Sequence, residues 1–352
     1  MKARFFVPTA LFALLTMVSP HPALAQYTVI ASGLDSPRGL TFGPGGQLYV
    51  AQAGSGGSSG KISQIANPSA ANPAIRDIVT GLISAVHTEG EATGVDGISA
   101  LGNGNIFAIM ALSNEALGFP SPLGRLLQVS QGGQIRDVAN VGDFDYDWSK
   151  AHPNLAPHDF PDANPYAVLA LPGQIYVADA ASNTLNLIGP NGSDQILAYF
   201  PNNVLADATP TCITQGPDGA LYIGTLALVD SIVFGPSAKV YRVDPKEADP
   251  TRLLTVLNIA TVWADGLGPI NGCAFGPDGS FYASEFFTSP AFANGDVVKI
   301  PFDNPSQHIS LTAGKMLFPA GVAVGPDGSV FVSNGSAELP PGLGQVVRLT
   351  AK

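Results

Sequence analysis

Short apolar runs with strand-type alternation flank Gly276-Pro277-Asp278-Gly279 within residues 271–285. Proline presets φ, aspartate favours the start of a turn and glycine accepts φ > 0, so the segment predicts a tight β-hairpin. The pattern returns around Gly43-Pro44-Gly45-Gly46, Gly216-Pro217-Asp218-Gly219 and Gly325-Pro326-Asp327-Gly328, and in degraded form at residues 96–107 and 166–177. The glycine in the first strand of each hairpin, or its equivalent, stands at Gly39, Gly97, Ala167, Cys212, Gly272 and Gly321, 45 to 70 residues apart. That spacing is the length of propeller blades carrying insertions.

A third strand-like run follows each hairpin, at residues 61–65, 125–129, 184–188, 239–243, 297–300 and 346–349. A fourth follows five of them, at residues 75–80, 135–141, 195–200, 253–257 and 309–311. The sixth copy lacks one, while residues 27–30 are strand-like and have no blade of their own. Pairing the first onto the last closes the ring and leaves no open sheet edge. The expected fold is all-β: a single six-bladed β-propeller over residues 26–352, closed by the N-terminal strand.

Residues 1–25 stand apart from this plan. Lys2 and Arg4 precede an apolar run at residues 5–18 that is too short to span a bilayer, and Ala23-Leu24-Ala25 before Gln26 reads as a cleavage site. The expected mature chain starts at Gln26 outside the cytoplasm, with no membrane span. The formal charge is −11, and removing Lys2 and Arg4 makes it two units more negative. An acidic exported chain is a poor partner for nucleic acid or anionic lipid. Cys212 occupies the glycine position of one copy and Cys273 lies one residue past it in the next. Side chains alternate faces along a strand, so this offset allows a disulfide between neighbouring strands, with two buried free thiols as the alternative.

The turn side of the wheel is short and repetitive. The opposite, upper side takes the insertions, at residues 53–60, 82–94, 111–122, 142–164, 226–238, 286–295 and 335–344, and most of the 27 acidic residues. Function on a rigid scaffold concentrates on variable loops, so an electronegative channel mouth is expected to receive a small molecule or a protein partner there.

Two repeat positions should face that mouth. The residue before the glycine gives Arg38, Asp96, Tyr166, Thr211, Asn271 and Ala320; the residue ending the second strand gives Gln52, Met110, Asp179, Thr225, Glu285 and Asn334. Asp96, Asp179, Asn271 and Glu285 are oxygen donors of the kind calcium takes, and Asn334 could join them; the alternative is polar groups lining a wet channel. Arg38, Gln52, Tyr166 and Asn334 are the candidate ligand contacts.

Three further stretches carry possible chemistry. His87-Thr88-Glu89-Gly90-Glu91 and the segment from His152 to His158-Asp159 set imidazole beside carboxylate, suiting a general base, a metal ligand or a solvated loop. Asp143-Phe144-Asp145-Tyr146-Asp147-Trp148 interleaves acids with rings, either to stack on a sugar or aromatic ligand or to pack back on the blade. Residues 54–60, rich in glycine and serine, read as a flexible loop and match neither a phosphate loop nor a nucleophile elbow.

With the repeats aligned, the chain resembles the ScyD/ScyE family of exported NHL-like propellers, first associated with scytonemin biosynthesis. The likeness rests on Ser36-Pro37-Arg38-Gly39-Leu40, on Asp162-Ala163-Asn164-Pro165-Tyr166 leading to Tyr176-Val177-Ala178-Asp179-Ala180, and on Gly216 to Tyr222 leading to Lys239-Val240-Tyr241-Arg242-Val243-Asp244-Pro245. Where the family pattern has glycine after Asn-Pro-Tyr, this chain has Ala167. The resemblance implies the fold and export, with no agreed activity. A looser likeness to calcium-dependent six-bladed lactonases lies in the carboxylates and asparagines near the axis. The expected function is an extracytoplasmic binding propeller; the alternatives are a calcium-dependent hydrolase, lactonase or lyase, and a purely structural interaction protein.

Overall fold

The computed structural model describes residues 26–87, 90–117, 122–155, 161–289 and 294–350; the export signal read at residues 1–25 lies outside them. Six antiparallel sheets form the six blades of one ring. Their inner strands are Pro37–Phe42, Val95–Ala100, Pro165–Leu171, Pro210–Gln215, Ile270–Phe275 and Val322–Val324. Five blades build outwards in chain order, and blade 1 adds a short fifth strand, Ala92–Thr93.

Blade 6 takes its outermost strand from the start of the chain. Gln26–Leu34 pairs antiparallel with Gly344–Thr350, Tyr27 opposite Leu349 and Val29 opposite Val347. The expected closure is present and runs four residues further than the apolar pattern suggests.

The turns form as their residues dictate. Gly219, Gly279 and Gly328 hold φ of 82°, 75° and 80°, values in the left-handed region that favours glycine. The preceding aspartates accept backbone N–H bonds from Ala220, Ser280 and Ser329 at 3.2, 3.1 and 3.0 Å. Asp278 also receives Lys299 at 2.7 Å, a charge partner that holds its carboxyl down at about 2 against the opposing effect of partial burial.

The glycine before each hairpin serves close packing. A Cβ at Gly321 would lie 2.3 Å from the Arg38 carbonyl oxygen of the next blade, and one at Gly272 would lie 2.4 Å from that of Ala320. Real side chains do not fit there, so these positions bring neighbouring inner strands together around a narrow channel. Gly321→Val should therefore part the seam between blades 6 and 1 and lower the Tm by several degrees, overpacking costing roughly 1–3 kcal/mol or more. Melting of this variant together with the parent would show that the seam is slack.

Cys212 and Cys273 are bonded, with Cα atoms 5.7 Å apart, joining the inner strands of blades 4 and 5. Of the two alternatives left open by the spacing, the disulfide holds. The core lies between blades: Tyr222 of blade 4 meets Phe275 of blade 5 edge-on at 5.0 Å, within a cluster that includes Trp263 and Phe281.

Two sequence expectations need correction. Residues 253–257 are not the fourth strand of blade 4 but lie in a helix, Leu253–Asn258, which buries Val256 against Ile196 and Tyr199 of blade 3. Leu253, Val256 and Leu257 recur at helical spacing, and the strand forms later, from Thr261–Leu267. Residues 54–60 are not a free loop either. The third strand of blade 1 begins at Gly57, and Gly57 pairs with Ser84 on the fourth strand, Ala74–Val86.

Candidate functional site

Five of the six residues before the glycine positions, Arg38, Asp96, Tyr166, Thr211 and Asn271, line the channel together. Arg38 is the centre. It is 2% exposed, its Nη2 donates to Glu91 Oε1 at 2.8 Å and to the Ala92 carbonyl at 2.9 Å, and its Nε stands 4.0 Å from Asp96 Oδ1. Nη1 reaches Tyr166 Oη at 3.5 Å, and Tyr166 Oη donates to Asn271 Oδ1 at 2.7 Å. One hydrogen-bonded chain thus crosses the mouth from blade 1 through blade 3 to blade 5. It leaves the Asn271 amide nitrogen unengaged among the described residues.

Burial decides the charges. It works against the Arg38 guanidinium, but Tyr166, Glu91 and Asp96 outweigh it and hold the group above its usual range. Burial raises the Tyr166 phenol to about 12, so it stays protonated and serves as a donor. Asp96 is pushed up to about 7 by burial despite Arg38, and one of its carboxylate oxygens has no partner.

Above this floor lies a cavity of about 630 Å³. Arg38, Tyr166, Thr211 and Asn271 line it from the inner strands; Leu226, Phe286 and Phe318 supply apolar walls from the loops and Leu228 from the start of a short helix, Leu228–Phe234, and Glu91 and Glu338 also line it. The size and the mixture of apolar wall with a few convergent polar groups are those of small-molecule sites. Below it the channel narrows to about 70 Å³ between the inner strands. The insertion-rich face is the face that holds the cavity.

The second candidate position works differently. Gln52 Oε1 accepts the Asp35 N–H at 2.9 Å, Asp179 Oδ1 the Asn164 N–H at 2.8 Å, Glu285 Oε1 the Gly268 N–H at 2.7 Å and Asn334 Oδ1 the Leu317 N–H at 2.7 Å. Each clamps the linker leading into its own blade, satisfying a backbone donor that would otherwise lack a partner. Blade 2 has Met110 here, and Asp96 Oδ1 takes the corresponding Gly94 N–H at 3.3 Å. The role recurs although the residue does not, which is why variation at this position resembled a ligand site.

Gln52 and Asn334, expected to contact ligand, and Asp179 and Glu285, expected to hold calcium, thus each spend one oxygen on a linker N–H. Of the four oxygen donors, Asp96 and Asn271 line the mouth, while Asp179 and Glu285 lie back in blades 3 and 5. Among the described residues no three His, Cys, Asp or Glu side chains gather where they could hold a metal.

The remaining candidates resolve into local structure. His87 Nε2 bonds Thr93 Oγ1 at 3.2 Å, Glu91 serves Arg38, and Thr88, Glu89, His158 and Asp159 lie outside the described residues. His152 Nδ1 bonds the Trp148 carbonyl at 2.7 Å and its ring lies 4.4 Å from the Trp148 ring. Asp143 to Trp148 form no loop but part of a helix, Val141–Ala151, with Trp148 packed 5.9 Å from Tyr199. Phe144 and Trp148 pack back on Ile196 and Tyr199 of blade 3.

That helix also buries a carboxylate. Asp145 Oδ1 and Asp194 Oδ1 share the Asn186 amide at 2.6 and 3.0 Å, and the Asp145 and Asp179 carboxyls lie within hydrogen-bonding reach of each other. Burial raises all three carboxyls, Asp194 to about 7, and Asp145 is raised further by Asp179 and Asp194 beside it. Nothing in the spacing of these residues marked them as neighbours.

No protein-family model matches the chain, and no curated protein does. Solved structures do. A streptogramin B lyase superposes with a TM-score of 0.54 at 15% identity, covering 95% of this chain and 100% of its own. An aldose sugar dehydrogenase from Streptomyces coelicolor, in its PQQ-bound form, gives 0.55 at 14% identity over 93% and 98%. A gluconolactonase from Xanthomonas campestris gives 0.55 at 9% identity over 94% and 91%. Likeness at these identities establishes the six-bladed propeller and nothing of activity. No helix among the described residues is long and apolar enough to cross a membrane.

Proposed function

We propose that the protein is an exported propeller of the ScyD/ScyE type that binds a small, non-anionic molecule in the cavity above the channel mouth. The observation that carries this is the 630 Å³ space floored by the Arg38–Tyr166–Asn271 chain. The floor combines one guanidinium, already paired, with carboxylates, so an anion gains no free cation there. Export is supported by the Cys212–Cys273 bond, since disulfides persist in oxidising compartments.

The hydrolase or lyase alternative draws on Asp96. Its unpartnered, buried oxygen and a pKa near 7 suit a proton-transfer group at neutral pH.

A thermal-shift panel of amines, lactones, sugars and carboxylates tests the binding reading. Non-anionic compounds are expected to raise the Tm, and Leu226→Trp, which fills the cavity, is expected to abolish the rise. Shifts that survive Leu226→Trp, or that come only from carboxylates, would contradict it. Lactone turnover lost in Asp96→Asn with binding retained would favour the enzyme.

A further inference from the structure

We infer that the wall of this cavity formed by Phe286, Phe318 and Glu338 receives a positively charged group, a protonated or quaternary amine. The inference rests on the small-molecule reading and narrows it to a class of ligand.

Phe286 follows the second strand of blade 5 and Phe318 lies between blades 5 and 6, yet their rings meet at 5.1 Å and both residues line the cavity. Glu338 lines the same space. Ser336 fixes this carboxylate's loop against Phe318: its Oγ donates to the Phe318 carbonyl at 2.7 Å and its N–H to the same oxygen at 3.1 Å. Phe318 and Glu338 both hold a left-handed backbone, φ 44° and 59°. That region is uncommon for either residue type and is retained where the surroundings impose it, often at ligand sites.

Aromatic faces attract cations through their quadrupole, and a neighbouring carboxylate adds charge. The guanidinium of Arg38 is already engaged by Glu91 and faces Asp96, so the cavity carries more carboxylate than cation. A neutral ligand would use the phenyl rings but leave Glu338 without a role. A cation uses both.

Choline and its neutral isostere 3,3-dimethylbutan-1-ol, titrated calorimetrically into the full mature chain, separate the cases. Choline should bind roughly tenfold more tightly, and the ratio should approach one in Glu338→Gln and fall in Phe286→Leu. Glu338 is exposed, so its variant should melt with the parent. Equal or tighter binding of the alcohol overturns the cation inference and leaves the small-molecule reading standing. Binding of neither probe at millimolar concentration also overturns the inference, and the wider compound panel then decides the reading beneath it.

Discussion

Replacing Arg38 by methionine is expected to lower the Tm by roughly 10 °C at pH 8, the largest loss from any single change at the channel mouth. The side chain is 2% exposed and faces Asp96, itself 1% exposed. Removing one partner of a buried pair costs about 3–5 kcal/mol, because the other charge is left in a low-dielectric site. Asp96 can escape that penalty by taking a proton, so the loss should be smaller at pH 5. Adding Asp96→Leu to Arg38→Met should recover part of the stability. Differential scanning calorimetry of the two variants at both pH values checks this. A single variant that melts within a degree or two of the parent would mean the pair is not holding the mouth together.

Stability should also fall as the pH rises from about 4 through about 7. Asp96, Asp194 and Glu285 are pushed by burial to about 7 each, and Asp145 and Asp179 are raised as well. A carboxyl raised in the folded state is protonated there while its unfolded counterpart has ionised. Its stabilisation is therefore complete below the unfolded value and lost as pH climbs through the folded one, at about 1.4 kcal/mol per unit per group. The turn aspartate Asp278, held at about 2, acts in the opposite sense and only below about pH 4. Asp145→Asn imitates the protonated acid and keeps an acceptor for Asn186. The variant should match the parent near pH 5 and melt well above it at pH 8. A pH-independent Tm, or an Asn variant less stable at both values, would show that these carboxyls do not carry shared protons.

The wheel was legible in the sequence because it repeats. Period-two alternation and the Gly-Pro-Asp-Gly turn are local signals, and the blade without a fourth strand pointed to residues 27–30 as its closure, the middle of the observed strand Gln26–Leu34. Blade 4 misled because Leu253, Val256 and Leu257 satisfy strand and helix templates alike, and only burial of Val256 against blade 3 decides between them. The floor of the site was legible too: Arg38, Asp96, Tyr166 and Asn271 share one repeat position and meet.

The position of Gln52, Asp179, Glu285 and Asn334 carries a structural role that the sequence did not show, for a physical reason. Any side chain with an acceptor at the right reach can take a linker N–H, so a structural role tolerated variation that resembled ligand specificity. Glu91 was seen only as a partner for His87, because its contact with Arg38 spans 53 residues of chain. The apolar walls Leu226, Phe286 and Phe318 carry no spacing signal, since irregular loops have no period to read, and Leu228 opens a helix of only seven residues.

A crystal structure of the protein soaked with the compound giving the largest thermal shift tests the central claim most directly. The claim predicts ligand density above the channel, with a polar atom within hydrogen-bond distance of the Asn271 amide nitrogen and an apolar part against Phe286 and Phe318. Density elsewhere, with only water over Tyr166 and Asn271, would contradict it.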